Sequence, residues 1–100
     1  MKYSSALFMK NIEYLVNYGY EPEIHIILKN DNKIFLIVYE DFIDFYDENN
    51  CYQKLSNIKV AIDKIDFTKV LAINDNTGID LSRPIEEQSI LIDGILYMTV

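Results

Sequence analysis

His25 and Cys51 are the two side chains of this 100-residue chain best suited by type to nucleophilic chemistry, one as base and one as thiol, and each is the sole residue of its kind. Such chemistry needs a nucleophile held by a base that is itself oriented by a third group. Glu21 and Glu23 stand close enough in sequence to orient His25, but no spacing brings Cys51 or a serine to it. The plainer reading is preferred: a histidine on the less apolar side of a strand, hydrogen-bonded or half exposed. One Cys and one His cannot make a tetrahedral zinc site without several carboxylates. Asp75-Asn76-Thr77-Gly78-Ile79-Asp80 resembles a calcium loop only locally. Setting Gly78 at the sixth position puts Ile73 at the first and Pro84 at the twelfth, where carboxylates are required. Gly19, Gly78 and Gly94 lie far apart, so neither a P-loop nor a dinucleotide fingerprint exists. A pair of carboxylates in a pocket would leave no local signature. No catalytic residue, cofactor or metal is expected, and the chain is read as a binding protein rather than an enzyme.

The acidic stretch remains. Glu40, Asp41, Asp44, Asp47 and Glu48 place five carboxylates within nine residues, without a Lys or Arg among them. Residues 1–50 carry 4 bases and 9 acids, and residues 51–100 carry 5 and 7, so the asymmetry is concentrated here. On a strand, Asp44 would share a face with Phe42 and Tyr46, while Ile43 and Phe45 point the other way into the core. Tyrosine is enriched where proteins touch, having an apolar body and a polar tip. Tyr20, Tyr46 and Tyr52 are the tyrosines expected at the surface, with Tyr14, Tyr18, Tyr39 and Tyr97 at the edge of the core. The expected partner-binding set is therefore Glu40, Asp41, Asp44, Tyr46, Asp47, Glu48 and Tyr52, aromatics anchoring and carboxylates steering. The competing reading is a solvated edge strand whose charges block edge-to-edge aggregation.

Composition bounds the rest. A net charge of -7 and a pI near 4.5 argue against direct binding to nucleic acid or an anionic membrane, since either needs a basic patch. A positively charged partner would be attracted instead. The single cysteine excludes an internal disulfide framework and suits a reducing compartment. Lys10, Asn11 and Glu13 interrupt any signal-like apolar run, and no run approaches the roughly 20 apolar residues that span a bilayer. A cytoplasmic address is expected. Half the residues are apolar and 25% are charged, as in a folded globular chain, and residues 1–100 are read as one domain.

The elements that must position these groups begin with a helix. Ser4 or Ser5 can cap it, and Phe8, Ile12, Leu15 and Val16 share one face as it runs to Tyr18. Gly19 suits a left-handed stop, Tyr20 can fold back on Leu15, and Pro22 prevents resumption. Ile24–Tyr46 then alternates apolar runs with Asn30-Asp31-Asn32 and Glu40-Asp41. A two-residue turn at Asp31-Asn32 would put Ile24, Ile26, Leu28, Phe35, Ile37 and Tyr39 on one face, with His25, Ile27, Ile34, Leu36 and Val38 on the other. Both faces are apolar, so Ile34–Val38 is placed mid-sheet and expected to be covered on both sides. Phe42–Tyr46 reads as a third strand after a turn or bulge at Glu40-Asp41, and the polar residues 47–57 as a loop. Ile58–Asp63 fits strand alternation and also helical spacing from Cys51 through Ile65; its β-branched residues favour strand. Val70–Ile73 reads as a strand and Asp75–Gly78 as a turn. Asp93-Gly94 joins Ile90–Ile92 to Ile95–Met98 as a hairpin, expected to be tied into the sheet. The architecture is α+β: one N-terminal helix packed on a mainly antiparallel, curved sheet of about six or seven strands.

Function follows by exclusion. The chain is expected to be a small acidic inhibitor or antidote, of the immunity-protein or phage anti-defence (anti-CRISPR) type. It would occlude a basic surface of a nucleic-acid-handling enzyme such as a toxin or nuclease. The alternative is a non-catalytic assembly module or homodimer.

Overall fold

Ser4 is extended and its Oγ accepts a hydrogen bond from Leu7 N at 3.3 Å, which caps α1 (Ser5–Asn17) in the computed structural model. The cap satisfies one of the N–H groups that a helix start leaves without an internal partner. The helix stops at Gly19, whose φ of 78° lies in the left-handed region. Gly19 N donates to Val16 O at 2.9 Å and Tyr20 N to Leu15 O at 3.1 Å, the two bonds of a Schellman ending. Phe8, Ile12 and Leu15 are buried, as their spacing predicts. The structure describes residues 4–76, 78–92 and 95–98.

The helix packs on a five-stranded antiparallel sheet of order β4-β3-β2-β1-β5. The strands are β1 (Glu23–Leu28), β2 (Lys33–Val38), β3 (Ile43–Tyr46), β4 (Tyr52–Leu55) and β5 (Val70–Asp75). The fold is α+β and β2 is the middle strand, both as expected, but six or seven strands in one sheet is an overcount. Ile58–Asp63 is a helix, α2, capped by Asn57, whose Oδ1 accepts from Val60 N at 3.1 Å. The cap and the burial of Leu55, Ala61 and Ile65 outweigh the strand preference of its β-branched residues. The last two strands, β6 (Ser89–Ile92) and β7 (Ile95–Met98), form a separate two-stranded sheet instead of joining the main one. Their Asp93-Gly94 turn lies outside the described residues. Conversely, the expected 47–57 loop contains β4. Its Tyr52, Gln53 and Lys54 are exposed and only Leu55 is buried, so this edge strand has no apolar alternation to betray it.

The β1–β2 register also differs from expectation. Ile24 faces Leu36 and Ile26 faces Ile34, and the connection is the three-residue loop Lys29-Asn30-Asp31. Asp31 takes the left-handed conformation (φ 68°), Leu28 N donates to Asn32 O at 2.8 Å, and Asn30 Oδ1 accepts from Asn32 N at 3.1 Å. This is the turn-plus-bulge hairpin, in which an Asp tolerates positive φ. Changing the pairing by an odd number of residues turns β2 over. Ile34, Leu36 and Val38 therefore enter the core beside Ile24, Ile26 and Leu28, while Phe35 and Ile37 lie half-buried on the opposite face with exposed His25. That face is not covered as the second side of the core.

A buried asparagine ties α1 to the far end of the chain. Asn11 Nδ2 donates to Leu81 O and to Arg83 O, each at 2.9 Å, and its Oδ1 accepts from Ile85 N at 3.2 Å. Leu81 and Ile85 are themselves buried, so this polar clamp holds the 81–85 segment over the apolar cluster. Replacing Asn11 with the similar-sized Leu removes the Asn11 bond from two buried backbone groups, Leu81 O and Ile85 N, each such loss costing about 1–3 kcal/mol, while the part-buried Arg83 O keeps Gln88 Nε2 as a donor. We expect Asn11→Leu to lower the unfolding free energy by about 3 kcal/mol in urea titration. A loss below about 0.5 kcal/mol, the ordinary scatter of surface substitutions, would show that the clamp does not hold this segment.

Candidate functional site

The corrected register aligns aromatic rings straight across the open face. His25 lies opposite Phe35, Phe35 opposite Tyr46, and Tyr46 opposite Tyr52. Their ring centroids are 4.8, 5.8 and 5.2 Å apart along the row. These are the tilted spacings that aromatic pairs prefer, worth about 0.5–1.5 kcal/mol each beyond the area they cover. Toward the β2–β3 turn a second tier begins. Tyr39 and Phe42 flank Glu40-Asp41, with Tyr39 N donating to Phe42 O at 2.9 Å and their rings stacked at 4.6 Å. Lys54 Nζ sits 4.4 Å above the Phe42 ring, a cation–π contact made by the chain's own lysine. Solvent reaches the row: His25 is exposed, Phe35 and Tyr46 are half-buried, and Tyr52 is 51% exposed.

Charges of both signs border these rings, Glu23 and Asp44 alternating onto the same face as Lys33 and Lys54. The Tyr52 hydroxyl donates to Asp44 Oδ1 at 2.7 Å, and this bond, with partial burial and the Asp44 charge, raises the Tyr52 pKa above the usual 10.0. Partial burial raises Tyr39 as well, followed by the charges of Asp44, Glu21 and Glu23. Glu21 and Glu23 thus join Asp44 in an acidic fringe around the aromatic face. Both tyrosines stay neutral hydrogen-bond donors throughout the physiological range.

The seven residues expected to bind a partner do not form one patch. Asp44, Tyr46 and Tyr52 come together on the open face. Ile43 and Phe45 point inward, as expected. Glu40 and Asp41 are exposed in the two-residue turn at one end of β3. Glu48 is exposed in the three-residue turn Glu48-Asn49-Asn50 at the other end, beyond the roughly 16 Å from Phe42 to Asp47 at about 3.3 Å per residue. Asp47 is half-buried and engaged locally: its Oδ1 accepts from Asn49 N at 2.8 Å and Cys51 N at 3.0 Å, shaping a turn in which Asn50 takes φ 62°. The contiguous feature is the aromatic row, and carboxylates surround it at intervals. His25 and Phe35 escaped the sequence reading because the two-residue turn put Phe35 in the core. The signal that could have found them was Asp31, an acceptable left-handed residue for a three-residue loop. Among the tyrosines, Tyr18 is 53% exposed, whereas Tyr20 packs against the core and its hydroxyl donates to Asn76 Oδ1.

The residues considered for catalysis stay apart. His25 stacks on Phe35, and Cys51 lies beside β4, three strand spacings or roughly 14 Å away, beyond proton-transfer reach. Cys51 is exposed, with Sγ 4.0 Å from Asn49 O. Among the described residues no group of three or more His, Cys, Asp or Glu is placed to hold a metal ion, and no helix is long and apolar enough to cross a membrane. Compared with protein-family models, curated proteins and solved structures, the chain matches none.

The Tyr52–Asp44 bond has a pH signature. Because folding raises the Tyr52 pKa, the bond's stabilisation is complete below pH 10.0 and is lost as pH rises through the raised value. Ultraviolet titration of phenolate formation should show Tyr52 ionising above pH 10.0, and Asp44→Asn should move that step downward. An unmoved titration in Asp44→Asn would mean that Asp44 does not control the Tyr52 hydroxyl.

Proposed function

We propose that this chain is a non-catalytic binding protein whose open sheet face seats on a basic surface of another protein. The row His25–Phe35–Tyr46–Tyr52 carries this reading, because half-exposed aromatic rings ranked across four strands are the anchors that binding interfaces favour. The net charge of -7 selects the sign of the partner. The sheet face spans roughly 300–400 Å², from strand spacings of about 4.8 Å and rises of about 3.3 Å. A stable interface takes about 800 Å² from each partner, so the turns at either end must contribute. Glu40, Asp41 and Glu48 fit that role as rim charges that steer encounter and set register, with Asp47 holding its turn in shape.

The finer reading is an inhibitor or antidote acting in the cytoplasm on a nucleic-acid-handling enzyme, a toxin or nuclease, as immunity proteins and phage anti-defence (anti-CRISPR) proteins do. Its carboxylates would take places otherwise occupied by phosphates, with no bond made or broken. What supports it is the pairing of an acidic fringe with ring faces, which matches a groove built to stack bases and bind a phosphate backbone. A second reading, self-association, draws on the edge strand β4, whose outer side has no neighbour within the sheet.

With the protein as bait, capture should retain a basic nucleic-acid-handling protein near 0.1 M salt and release it at several-fold higher salt, where surface charges are screened. Tyr46→Ala combined with Tyr52→Ala should weaken that capture by about tenfold or more, and Asp44→Lys should chiefly slow association. Capture insensitive to both changes would overturn the reading. Light scattering that shows a stable dimer, disrupted by substitutions on β4, would favour self-association.

A further inference from the structure

Two contiguous grooves lie where the C-terminal half of α1 meets the Glu40-Asp41 turn, bordered by Tyr39 and Phe42 of the second aromatic tier. One, of about 310 Å³, reaches from α1 past the turn to the start of α2; the other, of about 360 Å³, reaches to the Gly19–Glu21 bend. Val16, Asn17, Val38, Tyr39 and Glu40 line both, so they form one trough with a shared wall. Its floor is apolar: Ile12, Val38 and Ile43 are buried, and Val16 and Ile58 are half-buried. Among the described residues the charged ones along it are Glu13, Glu21 and Glu40, all exposed, with no Lys or Arg lining either groove. The C-terminus of α1 opens here with no basic residue in its last turn, so the partial negative charge of the helix end is not offset from within it.

We propose that this trough receives a lysine or arginine side chain presented by the basic partner, its aliphatic stem along Val16, Val38 and Ile58 and its cation among Glu13, Glu40 and the helix end. The inference rests on the protein-binding reading above and adds a specific pocket to it. Charge complementarity names the occupant: an anion would be repelled, and a neutral apolar group would desolvate the carboxylates without compensation. A long side chain with a charged tip covers apolar surface while keeping its head among the acids.

The probe is the tripeptide acetyl-Leu-Arg-Leu amide, titrated into the full chain while amide shifts are followed by NMR. Saturating shifts should centre on Val16, Asn17, Val38, Tyr39 and Ile58. The peptide with neutral citrulline in place of Arg should bind about tenfold more weakly, and Glu13→Gln with Glu40→Gln should lose a similar factor. Equal binding of the citrulline peptide, or an unaffected double Gln variant, would overturn the cationic pocket. Shifts confined to His25, Phe35 and Tyr46 would overturn the trough while leaving the open-face reading intact, and no saturating shift anywhere would overturn the trough alone. Failure of the open-face reading shows separately, as partner capture indifferent to Tyr46 and Tyr52.

Discussion

Asp31 sits in the left-handed region of backbone space, and the parity of the loop it closes governs which side chains of the central strand meet the helix. Side chains alternate along a strand, so an odd change in pairing exchanges its two faces completely. With three residues in the loop that the Leu28–Asn32 pair closes, the aliphatic set Ile34, Leu36 and Val38 packs inward beneath α1. Phe35 is sent outward into line with His25, Tyr46 and Tyr52. The β3–β4 connection repeats the device, with Asn50 as its left-handed residue and Asp47 supplying acceptors to the turn. Two polar loops thus create both the core and the open aromatic face.

The energetic division between the faces is clear. The inner face buries Ile and Leu side chains, each worth about 1.5–3 kcal/mol, and these dominate stability. The outer face gains its aromatic pairs, the Lys54–Phe42 contact and a tyrosine–carboxylate bond, and holds its rings part-solvated beside charges of both signs. Such a surface retains binding energy that the fold has not consumed. Large rings desolvate at low entropic cost, and under the proposed binding role the acids would favour a cationic counterpart. Asp44 links the two properties, facing Ile37 and Lys54 across the sheet while accepting the Tyr52 hydroxyl.

Much of this was legible in the chain itself. Ser4, the Phe8–Ile12–Leu15 spacing and Gly19 specify α1 almost to the residue because local capping chemistry fixes both ends. The inward set Ile43 and Phe45 was equally plain, since alternation alone decides it. Three features escaped for identifiable reasons. Asn30-Asp31-Asn32 can close a two- or a three-residue loop, and only the packing of both strands on the helix chooses between them. Asn57 outweighed the β-branched residues that follow it, because a cap and a buried Ala61 stabilise a short helix that propensity does not. The edge strand β4 carries almost no apolar signal, since its pairing with β3 supplies what its side chains do not. For the site, Asp44, Tyr46 and Tyr52 were visible as types. Their alignment with His25 and Phe35 belongs to the register and could not be read from spacing within one strand.

Both the core and the aromatic face therefore depend on the register of β2, which side-chain nuclear Overhauser effects test directly. The observed register should give a chain of ring-to-ring effects linking His25 to Phe35, Phe35 to Tyr46 and Tyr46 to Tyr52, with Leu36 methyls connected to Ile24. Effects placing the Phe35 ring among Ile24, Ile26 and Leu28, with Leu36 on the side of His25, would contradict it and remove the aromatic face from the surface.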